Sequence, residues 1–282
     1  MLRPADAGRS IRPPRRGLSI RVLGRLEVRA DGGAIVVDTR KAFAILVLAA
    51  IERRALARDE LAAMFWPEAD DESARGALRR TLSTLRAGLS DRWFHVDRGW
   101  VELSPVGVWV DAWAVDQLAG SADIAALSVA ADLHRGDFLA GFSLRDSPGF
   151  DDWTASRAEA RRRTLSDLLD RLGRRQEVEG DFAGAIASAV RRLALDRLDE
   201  AGHRRLMELL ARAGDRSAAI RQYQLCVTVL ERELGVAPLD ETTGLYQLIR
   251  AGRLGSARPS MAPVSGGAGP DLEPEIWKLV RR

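Results

Sequence analysis

Ser73-Ala74-Arg75-Gly76-Ala77-Leu78-Arg79-Arg80-Thr81-Leu82-Ser83-Thr84-Leu85-Arg86-Ala87-Gly88-Leu89 is the stretch on which the reading of this chain turns. At about 100° per residue, Leu78, Leu82, Leu85 and Leu89 stack in one narrow apolar stripe. Gly76, Arg80, Ser83 and Thr84 fall opposite that stripe, with Arg79 and Arg86 on one flank and Thr81 on the other. The spacing therefore predicts a helix from about Ser73 to Leu89, apolar on one side and basic with hydroxyls on the other. Glu68, Asp70, Asp71 and Glu72 precede it, where carboxylates meet the positive end of the helix dipole. No further acid occurs before Asp91. A basic helix face is most often simply solvated, so the surroundings must decide what this one does.

Upstream, Leu18, Ile20 and Val22 alternate on one face, Leu26 and Val28 follow Gly24, and Asp31-Gly32-Gly33 forms a turn before Ile35 and Val37. Period two with a glycine turn predicts a small antiparallel sheet. Thr39 or Asp38 is placed to cap a helix with Ala42, Phe43, Leu46, Ala49 and Ala50 at helical spacing. A short second helix carries Asp59 and Glu60 in its first turn, then Leu61, Met64 and Phe65, and stops at Trp66-Pro67. Downstream, Phe94-His95-Val96 and Trp100-Val101-Glu102-Leu103 read as a hairpin joined by Asp97-Arg98-Gly99, with Trp100 anchoring it. Sheet, three helices and hairpin is the order of a winged helix-turn-helix with the third helix as reader.

Within that frame Arg79, Arg80, Ser83 and Thr84 are candidate base readers, Arg80 and Thr84 projecting most directly from the core. An arginine fork can hold guanine O6 and N7 together, and a hydroxyl can meet a base edge. Arg40, Lys41, Arg75, Arg86 and Arg98 are candidate phosphate or wing contacts. Arg86 is equally read as a brace paired with a carboxylate, and Arg98 as a plain polar turn residue. Arg40 and Lys41 begin the first helix, where N–H groups and side chains can meet the backbone across the groove.

Arg40-Lys41-Ala42, Glu60-Leu61-Ala62 through Trp66-Pro67, and Thr84-Leu85-Arg86 resemble one branch of the OmpR-type winged helices. That branch is the SARP-type bacterial activators, in which a bacterial transcriptional activator domain (BTAD) follows. Arg135-Gly136-Asp137-Phe138-Leu139, Trp153 with Arg157 and Arg161, and Glu233-Leu234-Gly235-Val236-Ala237-Pro238 resemble that second domain. The resemblance covers about residues 18–253. It implies an activator that binds promoter direct repeats of double-stranded DNA as a homodimer and recruits RNA polymerase.

The second half carries its own signal. Gly180-Asp181 with Ala185-Ile186 recurs as Gly214-Asp215 with Ala219-Ile220, 34 residues later, the period of tetratricopeptide helix pairs. Leu165, Leu168, Leu169 and Leu172 form one apolar stripe, and Leu206, Leu209 and Leu210 another. Arg197 stands where such repeats usually have proline, an expected weakening of the turn between pairs.

The fold class is thus mainly α with a small β component. The expected organisation is a flexible basic arm (1–17), a winged helix (18–104), a tetratricopeptide-like activator domain (105–253) and a flexible tail (254–282). Seventeen residues leave no room for a receiver domain of about 100 residues, so an in-chain phosphorelay is not expected.

Composition sets the outer bounds. The 282 residues are 46% apolar and 29% charged, an ordinary globular mixture rather than a disordered one. A single cysteine, Cys226, excludes a disulfide framework, and its apolar neighbours Leu225 and Val227 mark it as core. His95, His134 and His203 lack a second ligand at metal spacing; His95 is expected to face out, and the other two to lie in helices. No metal, cofactor or membrane anchor is expected, nor a catalytic residue, since no phosphate loop or nucleophile elbow occurs. A soluble cytoplasmic protein is the expectation. All but two of the 43 basic residues are arginine, the exceptions being Lys41 and Lys278, yet the net charge is only +3. That modest charge keeps a second reading open: a protein-interaction scaffold whose winged helix binds DNA weakly or without sequence preference.

Overall fold

The computed structural model describes residues 12–35, 39–89 and 92–254. Most of the basic arm, the strand position Val37, the alternative cap Asp38, Asp91 and nearly all of the tail lie outside the described residues. By packing, the chain forms two compact units, Met1–Thr164 and Leu165–Arg282.

The first unit opens with β1 (Leu18–Arg21), β2 (Glu27–Ala30) and β3 (Gly33–Ala34). These pair antiparallel with Leu18 opposite Ala30 and Arg29 opposite Ala34, as the alternation requires. Leu18, Ile20 and Val22 are fully buried. α1 (Arg40–Glu52) is capped by Thr39, whose side chain accepts from the Ala42 N–H. β4 (Leu56–Ala57) leads to α2 (Arg58–Phe65), which ends at Trp66 ahead of Pro67.

α3 (Asp71–Gly88) begins two residues before the position read from the sequence, because Asp70 takes the N-cap and accepts from the Ser73 N–H at 2.9 Å. Ala74, Leu78, Leu82, Leu85 and Leu89 are buried, so the leucine stripe faces the core. Thr81 is buried as well and turns its hydroxyl back to the Ala77 carbonyl at 3.0 Å.

β5 (Phe94–Val96) and β6 (Trp100–Leu103) form the expected hairpin, and β4 pairs with β6 to make a three-stranded sheet. The anchor of this wing is Trp93, 3% exposed, rather than Trp100, which is 37% exposed. The hairpin register explains the exchange: Val101 and Leu103 take the inner face of β6 and leave Trp100 outside. His95 faces out, as expected.

Two short strands have no counterpart in the sequence reading, β4 and one that follows the hairpin. β7 (Val108–Val110) joins β1 in parallel, so the first sheet is mixed, with order β3-β2-β1-β7. It delivers α4 (Asp111–Leu118), whose first residue is a carboxylate 1% exposed. Asp111 accepts from the backbone N–H groups of Val22, Leu23 and Ala112 at 2.8–3.0 Å. Burial pushes its pKa up, against the pull of those donors and of Arg135.

After α5 (Ile124–Asp132), the segment Arg135-Gly136-Asp137-Phe138-Leu139 is fastened to the loop after β1. Gly24 donates to the Asp137 carbonyl at 3.1 Å, Leu23 bridges to Phe138, and Arg135 pairs with Glu27 at 2.5 Å. Gly24 sits at φ 125°, and a β-carbon there would lie 3.2 Å from that of Arg135. His134 lies just beyond α5 rather than within a helix.

α6 (Pro148–Val178) carries Trp153, Arg157 and Arg161 four residues apart on one face. Trp153 Nε1 and Arg157 both donate to Glu52 of α1, at 2.8 and 2.7 Å, and Arg161 pairs with Asp116 of α4.

In the second unit α7 (Phe182–Leu195), α8 (Glu200–Arg212), α9 (Arg216–Leu234) and α10 (Asp240–Arg250) follow the end of α6. Gly180 and Gly214 adopt φ of 81° and 91°, closing the first helix of each pair. Asp181 and Asp215 then cap the second helices through the N–H groups of Gly184 and Ala218. Ala185 and Ala219 are fully buried beneath them. The 34-residue repeat is thus α6–α7 followed by α8–α9.

At Arg197, the proline position, the backbone carbonyl accepts from His203 Nε2 at 3.0 Å. His203 is 2% exposed, and its Nδ1 accepts from Gln222 Nε2 at 2.7 Å, which fixes the neutral tautomer. Burial lowers its pKa. Cys226 is a fully buried core residue whose thiol is pushed up to about 12 by burial.

Candidate nucleic-acid interface

The outward side of α3 is an exposed basic surface. Arg79, Arg80 and Ser83 are exposed, and Thr84 is half-buried with its hydroxyl donating to the Arg80 carbonyl at 3.1 Å. Among the described residues no carboxylate pairs with Arg79 or Arg80. An unpaired guanidinium keeps its donors for a ligand and has no ion pair to break on binding.

Grooves run along both sides of this ridge. One, of about 390 Å³, lies toward the wing and is lined by Arg58, Arg79, Ser83, Arg86 and Val96. Arg58, the first residue of α2, is held there by donating its N–H to the Gly99 carbonyl at 3.0 Å and its side chain to the Asp97 carbonyl at 3.2 Å. The other, of about 890 Å³, lies toward the start of α1 and includes Arg40, Lys41, Trp66, Arg80, Thr84 and Arg145.

The nine residues singled out from the sequence separate into three settings. Arg79, Arg80, Ser83 and Thr84 come together on α3, and Arg98 stands exposed at the hairpin tip, its N–H donating to its neighbour Asp97. Arg86 is exposed and lines the wing-side groove. Three others are engaged by the protein itself. Arg75 pairs with Asp59 at 2.9 Å, which raises its already high pKa. Arg40 donates to the Ser143 carbonyl at 3.0 Å and lies over the Phe142 ring at 4.9 Å. Lys41 is held by Asp146 at 2.8 Å, the Phe65 carbonyl at 2.5 Å and the face of Trp66. The pairing with Lys41 holds the Asp146 carboxyl below its usual range.

Arg58 and Arg145 line these grooves and were not found from the sequence. Arg58 reaches the hairpin only because β4 pairs with β6, and Arg145 reaches α3 only through a fold contact 65 positions along the chain. Neither carries a local signal. Among the described residues no group of three or more metal-type side chains converges, and no helix is long and apolar enough to cross a membrane.

A winged helix leading into tetratricopeptide-like helix pairs defines a class of two-part regulators. The family model for the bacterial transcriptional activator domain matches residues 114–250. Residues 114–250 thus form a bacterial transcriptional activator domain behind the winged helix, a match that supports the resemblance to the SARP-type regulators. A solved structure, Mycobacterium tuberculosis EmbR in complex with a low-affinity phosphopeptide, shares the fold with a TM-score of 0.61 at 20% identity. The match covers 84% of this chain and 65% of that one, so this chain spans slightly less than two thirds of its length. A comparison with curated proteins finds no match.

Proposed function

We propose that this regulator reads double-stranded DNA through α3. The observation that carries the reading is the acid-free exposed face on which Arg79 and Arg80 have no carboxylate partner among the described residues. In this reading α3 enters the major groove, Arg80 and Thr84 meet base edges, and Arg79 and Arg86 meet phosphates. Arg98 follows the wing to the adjacent backbone or minor groove. Arg75, Arg40 and Lys41 act mainly by bracing this frame, since each is engaged by an acid or a carbonyl. The family supports the remaining steps: a homodimer on promoter direct repeats, with recruitment of RNA polymerase and activation. Head-to-tail winged helices then place half-sites about one helical turn apart, roughly 10–11 base pairs.

The test is selection of genomic fragments by the full chain at about 0.15 M salt, in parallel with Arg80→Ala. The expected outcome is one repeated motif for the native chain and relaxed preference for the variant, a loss of about 1–3 kcal/mol of discrimination at the affected base. Equal recovery of all fragments by both proteins removes the reading. A second reading, protein scaffolding by the repeats, draws support from Leu234, Val236 and Leu239 at the α9–α10 turn, each between 48% and 57% exposed. Retention of protein partners without any retention of DNA would select it.

A further inference from the structure

We propose that Arg145, in the segment matched to the activator domain, is a DNA-backbone contact, so that the helical domain contributes directly to DNA affinity. The inference rests on the proposed function and extends it to a residue outside the winged helix.

The argument begins with how the loop between Leu139 and α6 is held. Leu144 is buried, and its N–H donates to Asp151 at 3.0 Å. Ser147 is fully buried and donates to the Phe65 carbonyl at 3.0 Å. Phe142 meets Phe150 edge-on and lies under Arg40, which also binds the Ser143 carbonyl. Asp146 is paired with Lys41. The loop is therefore fixed to the start of α1 through Arg40 and Lys41, to the end of α2 through Phe65, and to α6 through Asp151 and Phe150.

Amid these contacts Arg145 is exposed and, among the described residues, unpaired. It lines the same groove as Arg80 and Thr84, on the side of α3 away from the wing. A helix seated in a major groove has a phosphate strand along each side. The wing side is supplied by Arg58, Arg79 and Arg86; the other has Arg40, Lys41 and Arg145. Arg40 and Lys41 are committed to holding the loop, so beside Arg80 of α3 itself it is Arg145 that has its donors available among the described residues. A fixed backbone on either side of it reduces the ordering cost of making a phosphate contact.

The experiment measures binding of the full chain to a selected duplex and to a scrambled one across a salt series, for the native protein, Arg145→Ala and Arg145→Lys. Loss of one phosphate contact makes the slope of log affinity against log salt shallower by about 0.9 and lowers affinity on the order of ten-fold at about 0.1 M salt. The proposal expects this for Arg145→Ala on both duplexes, with their ratio unchanged, and a nearly native slope for Arg145→Lys. Equal slopes for the native chain and Arg145→Ala overturn it, as does a change in the ratio without a change in slope, which would make Arg145 a base reader. A native chain that retains neither duplex overturns this proposal together with the reading of α3.

Discussion

On α3, Arg79 and Arg80 stand on a face without an acid from Ser73 to Gly88, whereas in the repeat unit Arg205 and Arg212 both close on Glu177, Arg192 pairs with Asp199 and Arg204 with Glu241. The residue type is the same and its density is high in both regions, but its use differs. In the repeats the guanidinium joins separate helices: Glu177 belongs to α6 while Arg205 and Arg212 belong to α8. These ion pairs hold the Glu177 carboxyl below its usual range, the two arginines overcoming the opposing effect of partial burial. On α3 Arg79 and Arg80 have no carboxylate partner among the described residues. A net charge of +3 therefore says little about DNA, because it averages a neutralised scaffold with an unneutralised face.

The largest effect that would disturb this contrast lies beneath the face rather than on it. Leu82 is 2% exposed, and Leu82→Ala should destabilise the first unit by about 2–5 kcal/mol through lost burial and the cavity left behind. Chemical denaturation checks this. Sequence reading should fall with it, since the face is only as ordered as the stripe under it, and native stability in the variant would mean that α3 is not seated as described.

A second contrast is pH. The repeat unit buries His203 in its neutral form with a lowered pKa, so its folded state binds a proton less readily than the unfolded chain does. The resulting stability is complete above the unfolded value of about 6.5 and declines as pH falls from there toward the lowered folded value. α3 has no histidine and should show no such dependence. Urea denaturation of the full chain at pH 7.5 and 5.5, compared with His203→Gln, reads the difference. A native chain with the same pH dependence as the variant would contradict the buried neutral assignment.

Much of the frame was legible because it is local. The leucine stripe of α3, the alternation of β1 and β2, the hairpin around Asp97-Arg98-Gly99 and the Gly-Asp repeat each depend on residues within a few positions of one another. The signals borrowed from family resemblance have a long-range meaning that the sequence alone does not reveal. Trp153, Arg157 and Arg161 form a helical row that closes on Glu52 and Asp116, and Arg135 to Leu139 clasps the loop at Gly24. β7 escaped notice because three residues pairing with a strand about ninety positions earlier leave no periodic trace. The same reason hides Asp111, whose partners at Val22 and Leu23 are equally remote. Trp100 was misassigned because a tryptophan in a short strand suggests an anchor, and only the pairing register shows which face is inward.

These long-range clasps also explain why the packing boundary falls at Thr164 while the family segment begins at residue 114. The first 51 family residues pack with the winged helix, and the repeats proper begin within α6. The candidate site is legible in the same measure. Its ridge on α3 is local and was found, whereas its borders at Arg58 and Arg145 depend on tertiary contacts and were not.

The most direct test of the central claim compares two double variants of the full chain, Arg79→Ala with Arg80→Ala and Arg205→Ala with Arg212→Ala, in duplex binding across a salt series. Both remove two positive charges, so any difference reports position rather than net charge. The α3 pair should lose sequence preference and make the salt slope shallower, by about 0.9 for each phosphate contact removed. The repeat pair should leave slope and preference at the native values. Equal losses from both pairs would contradict the account, for they would show that DNA responds to the number of arginines and not to the face of α3.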